Sequence, residues 1–172
     1  VVGEGAEGTC SLAISGNKIE GELSDNLIVK AYRMLSADHI LPHINFNLEK
    51  HIPSQAGLGG GSSDATYTLR LLNKLCQLNL NSATLHQYAV RLGADCAFFV
   101  TATPAFATGI GDILEPMNAE CAHLHGMYLL IVKPTVAIST AQAFAFVKPE
   151  PTLIKCKDIV AQPVNSEWRN HL

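Results

Sequence analysis

The sequence predicts an α+β fold, and three observations carry that expectation. Segments of helical periodicity and segments of strict alternation are intermixed along the chain, without the regular strand–helix repeat of a doubly wound sheet. At 172 residues and 48% hydrophobic, the chain can bury a core for one domain or one and a half. Four glycines in five positions (Gly57, Gly59, Gly60, Gly61) stand between an alternating segment and a helical one.

Taken in order, residues 1–23 are glycine-rich, hold short apolar pieces such as Leu12, Ala13 and Ile14, and predict a loop with hairpin strands. Ser24 or Asp25 can cap a helix whose apolar positions are Leu27, Ile28, Ala31, Tyr32 and Leu35. From His43 to Lys50 the pattern alternates, with Ile44, Phe46 and Leu48 on one face of a strand that feeds the glycines. Asp64 opens a second helical stretch carrying Leu69, Leu72, Leu75 and Cys76, with Leu78 near its end. Ser82 caps a third, with Leu85, Tyr88, Ala89 and Leu92 inward and Gly93 as its stop. A short hairpin is expected from Phe106 to Leu114, then a strand over Tyr128–Val132 ended by Pro134, and a weak helix over Thr140–Phe146. After Pro149 the pattern is lost.

The run Pro53-Ser54-Gln55-Ala56-Gly57-Leu58-Gly59-Gly60-Gly61-Ser62-Ser63 reads as a phosphate-binding loop. Glycines let the backbone turn tightly and present bare N–H groups, and Ser62 and Ser63 add hydroxyls. An anion there meets amide donors and the positive end of a helix dipole. A Walker A loop would need a lysine before its last Ser or Thr, and none is present. The dinucleotide pattern GxGxxG fits Gly57 and Gly59 and fails at Ser62. The competing reading is a glycine-rich surface turn without a ligand.

Asp95 is the second candidate. It is the only acid between Asp64 and Asp112 and stands among small and aromatic residues. A lone carboxylate buried there would be costly, which favours a functional role over an Asp that merely caps the turn before Cys96.

Composition excludes several classes. Twelve basic against fifteen acidic residues, net −3 and without a basic run, give no reason to expect nucleic acid. Apolar runs are far too short to cross a bilayer and no signal peptide is visible, so a cytoplasmic protein is expected. Five separated cysteines without a CxxC pair argue against a disulfide framework or structural zinc, and Cys76 is expected in the core. His123 and His125 lack a further ligand nearby, so no metal site is assigned. The chain begins without methionine and ends without a closing element, and reads as a piece of a longer protein.

A strand, this loop, a helix and a later Gly-Ala-Asp together resemble the GHMP kinases, small-molecule kinases of the galactokinase, homoserine kinase and mevalonate kinase superfamily. The resemblance rests on Asn26-Leu27-Ile28-Val29-Lys30-Ala31, Pro53 through Ala65, Gly93-Ala94-Asp95 with Phe98-Phe99, and Ala107-Thr108-Gly109-Ile110-Gly111. Pro134, Ile138-Ser139-Thr140 and Phe144 fit the next segment. The Asn-Leu-Ile and Gly-Ala-Asp-x-x-Phe-Phe stretches favour the members that phosphorylate a cytidine diphosphate-linked methylerythritol in non-mevalonate isoprenoid synthesis.

The resemblance implies the family's N-terminal domain (the ribosomal protein S5 domain 2-like fold) over residues 1–133, incomplete at its start. It implies the beginning of the C-terminal domain over 134–172. By the same resemblance, Pro53 through Ser63 hold the phosphates of ATP, Leu27 lies by the adenine, and Asp95 takes the proton from the substrate hydroxyl. Ile110, Thr140 and Phe144 line the cytidine side, and Mg²⁺ accompanies the nucleotide. The lysine that pairs with the family's catalytic aspartate belongs to a motif not found here, and Lys18, Lys30 and Lys50 stand in other contexts. A nucleotide-binding piece without catalysis, and a GHMP kinase for another small alcohol, stay open as alternatives.

Overall fold

The computed structural model describes residues 1–54, 56–134, 145–148, 155–164 and 168. Its first half is built on two strands, β1 (Cys10–Gly16) and β2 (Ile44–Lys50), joined through helix α1 (Leu27–Asp38). The strands are parallel, in a register from Cys10 opposite Ile44 to Gly16 opposite Lys50. This corrects the expected hairpin in residues 1–23. Parallel neighbours need a long crossover, and α1 supplies it. Val2 makes an isolated antiparallel bridge to Ile44.

Helix α1 starts one residue later than an Asp25 cap would place it and two later than a Ser24 cap would. Residues Leu23–Asp25 form a 3-10 turn, and Asn26 is the cap, its Oδ1 accepting from the Ile28 amide at 2.9 Å. Of the face read from the sequence, Ile28, Ala31, Tyr32 and Leu35 are buried and Leu27 is only partly so, while Val29 is buried in addition. Strand β2 alternates as expected, with Ile44 and Phe46 buried and Leu48 partly so, and Lys50 continues that inner face.

Helix α2 (Gly60–Leu75) begins about a full turn before Asp64, so the last glycines and both serines are its opening turn rather than a loop ahead of it. Leu69 and Leu72 are fully buried, whereas Leu75 is exposed and Cys76, at the C-cap, is partly buried against the core. The capping residue of helix α3 (Ser82–Leu92) is Asn81 rather than Ser82, its Oδ1 accepting from the Thr84 amide at 2.9 Å. Gly93 ends α3 as expected, and a 3-10 turn over Ala94–Val100 follows directly.

The core lies where α1, α2 and α3 meet one face of β2. Tyr32, Leu35, Ile44, Leu69, Leu72 and Cys96 are wholly buried there. The Tyr32 ring meets Phe46 edge-on at 6.0 Å, and its hydroxyl donates to the Pro42 carbonyl at 2.7 Å, so the large aromatic is packed without stranding its polar end. Across the core, the Tyr88 hydroxyl donates to Asp38 Oδ2 at 2.7 Å and ties α3 to the end of α1.

The second half is sparser. Strands β3 (Ala105–Thr108) and β4 (Ile113–Pro116) make the expected antiparallel hairpin, its turn using Gly109 and Gly111 at positive φ. A 3-10 turn covers Ala122–Leu124 and a short helix α4 covers Cys156–Val160. The strand expected over Tyr128–Val132 is not formed. The segment is in no regular element, and each of its side chains is exposed. Of the helix expected over Thr140–Phe146, Ala145 and Phe146 are helical, and 140–144 lie outside the described residues.

Candidate functional site

The glycines do three separate jobs. Gly57 and Gly59 adopt φ of 67° and 63°, which side chains other than glycine rarely accept. Gly59 is the N-cap of α2, and a Cβ on it would stand 3.1 Å from the Phe99 ring. Gly60 has ordinary φ, but a Cβ there would meet Ile52 Cγ2 at 2.9 Å and Lys50 Nζ at 3.1 Å. The chain is therefore closely packed underneath the turn while its outer side stays bare.

At the start of α2, the Ser63 amide is the first to bond back into the helix, to the Gly59 carbonyl at 2.8 Å. The preceding amides of Gly60, Gly61 and Ser62 are the orphan donors of a helix start. The Ser63 hydroxyl donates to the Gly60 carbonyl at 2.9 Å, so its proton is committed to the helix. Ser62 is partly buried. Of the two expected side-chain donors, Ser63 is thus engaged within α2, and Ser62 makes a side-chain hydrogen bond with Cys96.

A cavity of about 280 Å³ opens beside this turn. Leu27 of α1 lines it together with Ser54 and Gly61 from the loop, and Asn26, Lys50 and Asp64 complete the part nearest the loop. The structure thus brings Leu27 to the loop across some thirty residues of sequence. Pro53 and Ala56 are partly buried and Gly57 and Leu58 exposed; Gln55 lies outside the described residues.

Sequence reasoning missed Lys50. The residue is only 4% exposed, and its Nζ pairs with Asp64 Oδ2 at 2.5 Å, the carboxylate itself being 21% exposed. A buried ammonium needs such a partner, because removing either member leaves a charge without compensation. The signal was present: Lys50 continues the inward alternation of Ile44, Phe46 and Leu48. Asp64, ambiguous as a residue near a helix start, is the carboxylate that answers this lysine.

Asp95 is exposed, near the start of the 3-10 turn Ala94–Val100. This corrects the argument that burial made it costly. The neighbour Cys96 is the buried one, and the carboxylate faces out. Asp95 is also not among the residues lining the Leu27 cavity. Its turn is nevertheless held against α2, where the Thr66 hydroxyl donates to the Cys96 carbonyl at 2.8 Å. Burial pushes the Cys96 thiol above its ordinary value of 9.0, with hydrogen bonding to Ser62 and Thr66 acting against that, so the sulfur stays protonated at neutral pH.

The β3–β4 turn touches this region. A Cβ on Gly111 would lie 3.6 Å from the Ala94 side chain, which places the turn against the residue before Asp95. Ile110, at the tip, is 70% exposed, and its amide donates to Asp112 Oδ1 at 3.1 Å. Thr140 and Phe144 lie outside the described residues. Among the described residues, no group of three or more His, Cys, Asp or Glu is placed to hold a metal ion, and no helix is long and apolar enough to cross a membrane.

Residues 26–103 match the family profile described as GHMP kinases N terminal domain. A Bacteroides fragilis protein named 4-diphosphocytidyl-2-C-methyl-D-erythritol kinase is 48% identical over 156 residues, 91% of this chain and 56% of that protein. A Bacteroides thetaiotaomicron protein of the same name is 48% identical over 162 residues, 94% of this chain and 58% of that protein. Among solved structures, one described as the crystal structure of 4-(cytidine 5'-diphospho)-2C-methyl-D-erythritol kinase is 38% identical, over 60% of this chain and 38% of that chain, with a TM-score of 0.49. The chain therefore spans little more than half the length of these curated relatives. The matched segment runs from the cap of α1 through the glycine turn to just past the Asp95 turn, and over it the chain is a GHMP-kinase N-terminal domain.

Proposed function

We propose that the chain carries the nucleotide-binding part of a kinase that transfers the γ-phosphoryl of ATP to the 2-hydroxyl of 4-diphosphocytidyl-2-C-methyl-D-erythritol. The observation that carries this reading is the convergence of Leu27, Ser54 and Gly61 on one cavity at the start of α2. The substrate comes from the names of the relatives. Residues 1–133 are read as the ATP-binding domain and 134–172 as the start of a second one, in a cytoplasmic enzyme.

Phosphoryl transfer asks a protein mainly for positioning and charge stabilisation. Here the bare face of the glycine turn and the free amides at the start of α2 suit a triphosphate, and Leu27 gives the base an apolar wall. The cavity wall carries Glu20 and Glu22 beside the lysine-paired Asp25 and Asp64, and Mg²⁺ would be held chiefly by the phosphates themselves, where it would neutralise their charge. Asp95 accepts the proton of the attacking hydroxyl as the new O–P bond forms and the bond to the β-phosphate oxygen breaks, releasing ADP. Its exposure on the hairpin side leaves room for a substrate to approach. Ile110, with Thr140 and Phe144, is assigned to the cytidine end.

The test is ADP release by the full-length protein. Release is expected only with the cytidyl substrate present, and Asp95→Asn should abolish it. Turnover of mevalonate, homoserine or galactose instead would reassign the substrate. In a calorimetric titration with a non-hydrolysable ATP analogue, Gly60→Val should lose binding, since its side chain has no room beside Ile52 and Lys50.

A further inference from the structure

We propose that Thr66 is a positioning residue that sets the Asp95 turn against the helix carrying the glycine loop. The inference rests on the reading of Asp95 as the base. Thr66 is wholly buried in the second turn of α2. Its hydroxyl has an obvious local partner in a helix, the carbonyl four residues back, and Thr68 on the same helix uses it, donating to the Asp64 carbonyl at 2.7 Å. Thr66 donates instead to the Cys96 carbonyl, thirty residues away and one residue past Asp95, at 2.8 Å.

That bond is specific to the site's geometry. A second side-chain hydrogen bond from α2 to a backbone carbonyl of this turn, from Arg70 Nη1 to Phe99, is exposed and long at 3.5 Å. Packing supplies two further supports: the Phe99 ring beneath Gly59, and Gly111 of the hairpin against Ala94. Packing resists approach but does not fix the orientation of a peptide plane. The directional bond to the Cys96 carbonyl does, and the same peptide chain leads directly back to the Asp95 backbone. Thr66 thus links the element that would hold the phosphates to the element that would hold the base. Small misplacements between such groups cost rate steeply.

The experiment compares Thr66→Val, Thr66→Ala and Thr66→Ser with Asp95→Asn in the full-length protein, by steady-state kinetics and thermal melting. Loss of the hydroxyl in Val is expected to lower kcat about 10-fold with the KM for ATP within about 2-fold. Ala should behave like Val, and it decides the matter if Val fails to fold. Ser, which restores the donor, should return kcat to within about 2-fold of the parent. A lowered melting temperature with kcat unchanged would make the bond structural only and overturn the proposal. A raised KM for ATP with kcat unchanged would overturn it too, because the bond would then serve the loop alone. Turnover surviving in Asp95→Asn would remove the base reading and Thr66's catalytic role with it. An inactive Asp95→Asn beside a fully active Thr66→Val would sink the Thr66 inference alone.

Discussion

Two segments of this chain look like buried strands, and only one is. Ile44–Lys50 alternates apolar and polar residues, pairs along its whole length with Cys10–Gly16 and buries Ile44 and Phe46 under three helices. Tyr128–Val132 is more hydrophobic throughout, yet its side chains stand in the open, Leu130 at 87% exposure. The difference lies in the neighbours. A strand is stabilised by a partner that takes its N–H and C=O groups and by a layer that covers its apolar face. Among the described residues β2 has both, and Tyr128–Val132 has neither.

The sharpest way to break that comparison is to place the same charge in each segment. Phe46→Asp should cost several kcal/mol, because a carboxylate would replace a ring packed on Tyr32 with no partner in reach. Leu130→Asp should change stability by no more than about 0.5 kcal/mol and should reduce self-association, since it interrupts an exposed apolar run. Urea melts and light scattering of both variants would read this out. Equal destabilisation would mean that Tyr128–Val132 is covered in solution.

A smaller effect is expected at the bond that clamps the core on its far side. Tyr88→Phe should cost about 1 kcal/mol, the usual worth of one hydrogen bond, by releasing Asp38. Burial, then the bond to Asp38, pushes the Tyr88 hydroxyl above its ordinary value of 10.0. The folded pKa lies above the unfolded one, so the protonated tyrosine's contribution is complete below pH 10 and is lost as pH rises through the folded value. Melting temperatures of parent and Tyr88→Phe should therefore converge at the alkaline end. The smallest lever is the cap: Asn81→Ala should cost about 0.5–1 kcal/mol, seen as fraying of α3 in amide exchange.

What could be read from the sequence was what local pattern determines. The buried face of α1 and the β3–β4 hairpin follow from spacing and turn residues, and the glycine turn follows from composition. The caps Asn26 and Asn81 lie one or two residues from those expected because Ser24, Asp25 and Ser82 are all competent caps, and the choice falls to how the chain enters each helix. The parallel pairing of β1 with β2 depends on a crossover that no local pattern encodes. The exposure of Asp95 was hidden for a related reason. Its neighbours Cys96 and Ala97 are buried, but a 3-10 turn points successive side chains in different directions, so apolar neighbours say little about the carboxylate itself. Lys50 was legible in principle, since it stands in phase with the inward face of β2, but a lysine there is hard to credit until Asp64 is seen opposite it.

The Lys50–Asp64 pair has a consequence for how a ligand would be received. It joins the last residue of β2 to the second turn of α2, so the stretch between them, the loop and the opening turn of α2 together, has its two ends already fastened in the folded chain. The entropy of bringing those ends together is spent during folding, before any nucleotide arrives. Binding then has only the loop's internal freedom left to restrict, and affinity gains from that preorganisation without any added contact.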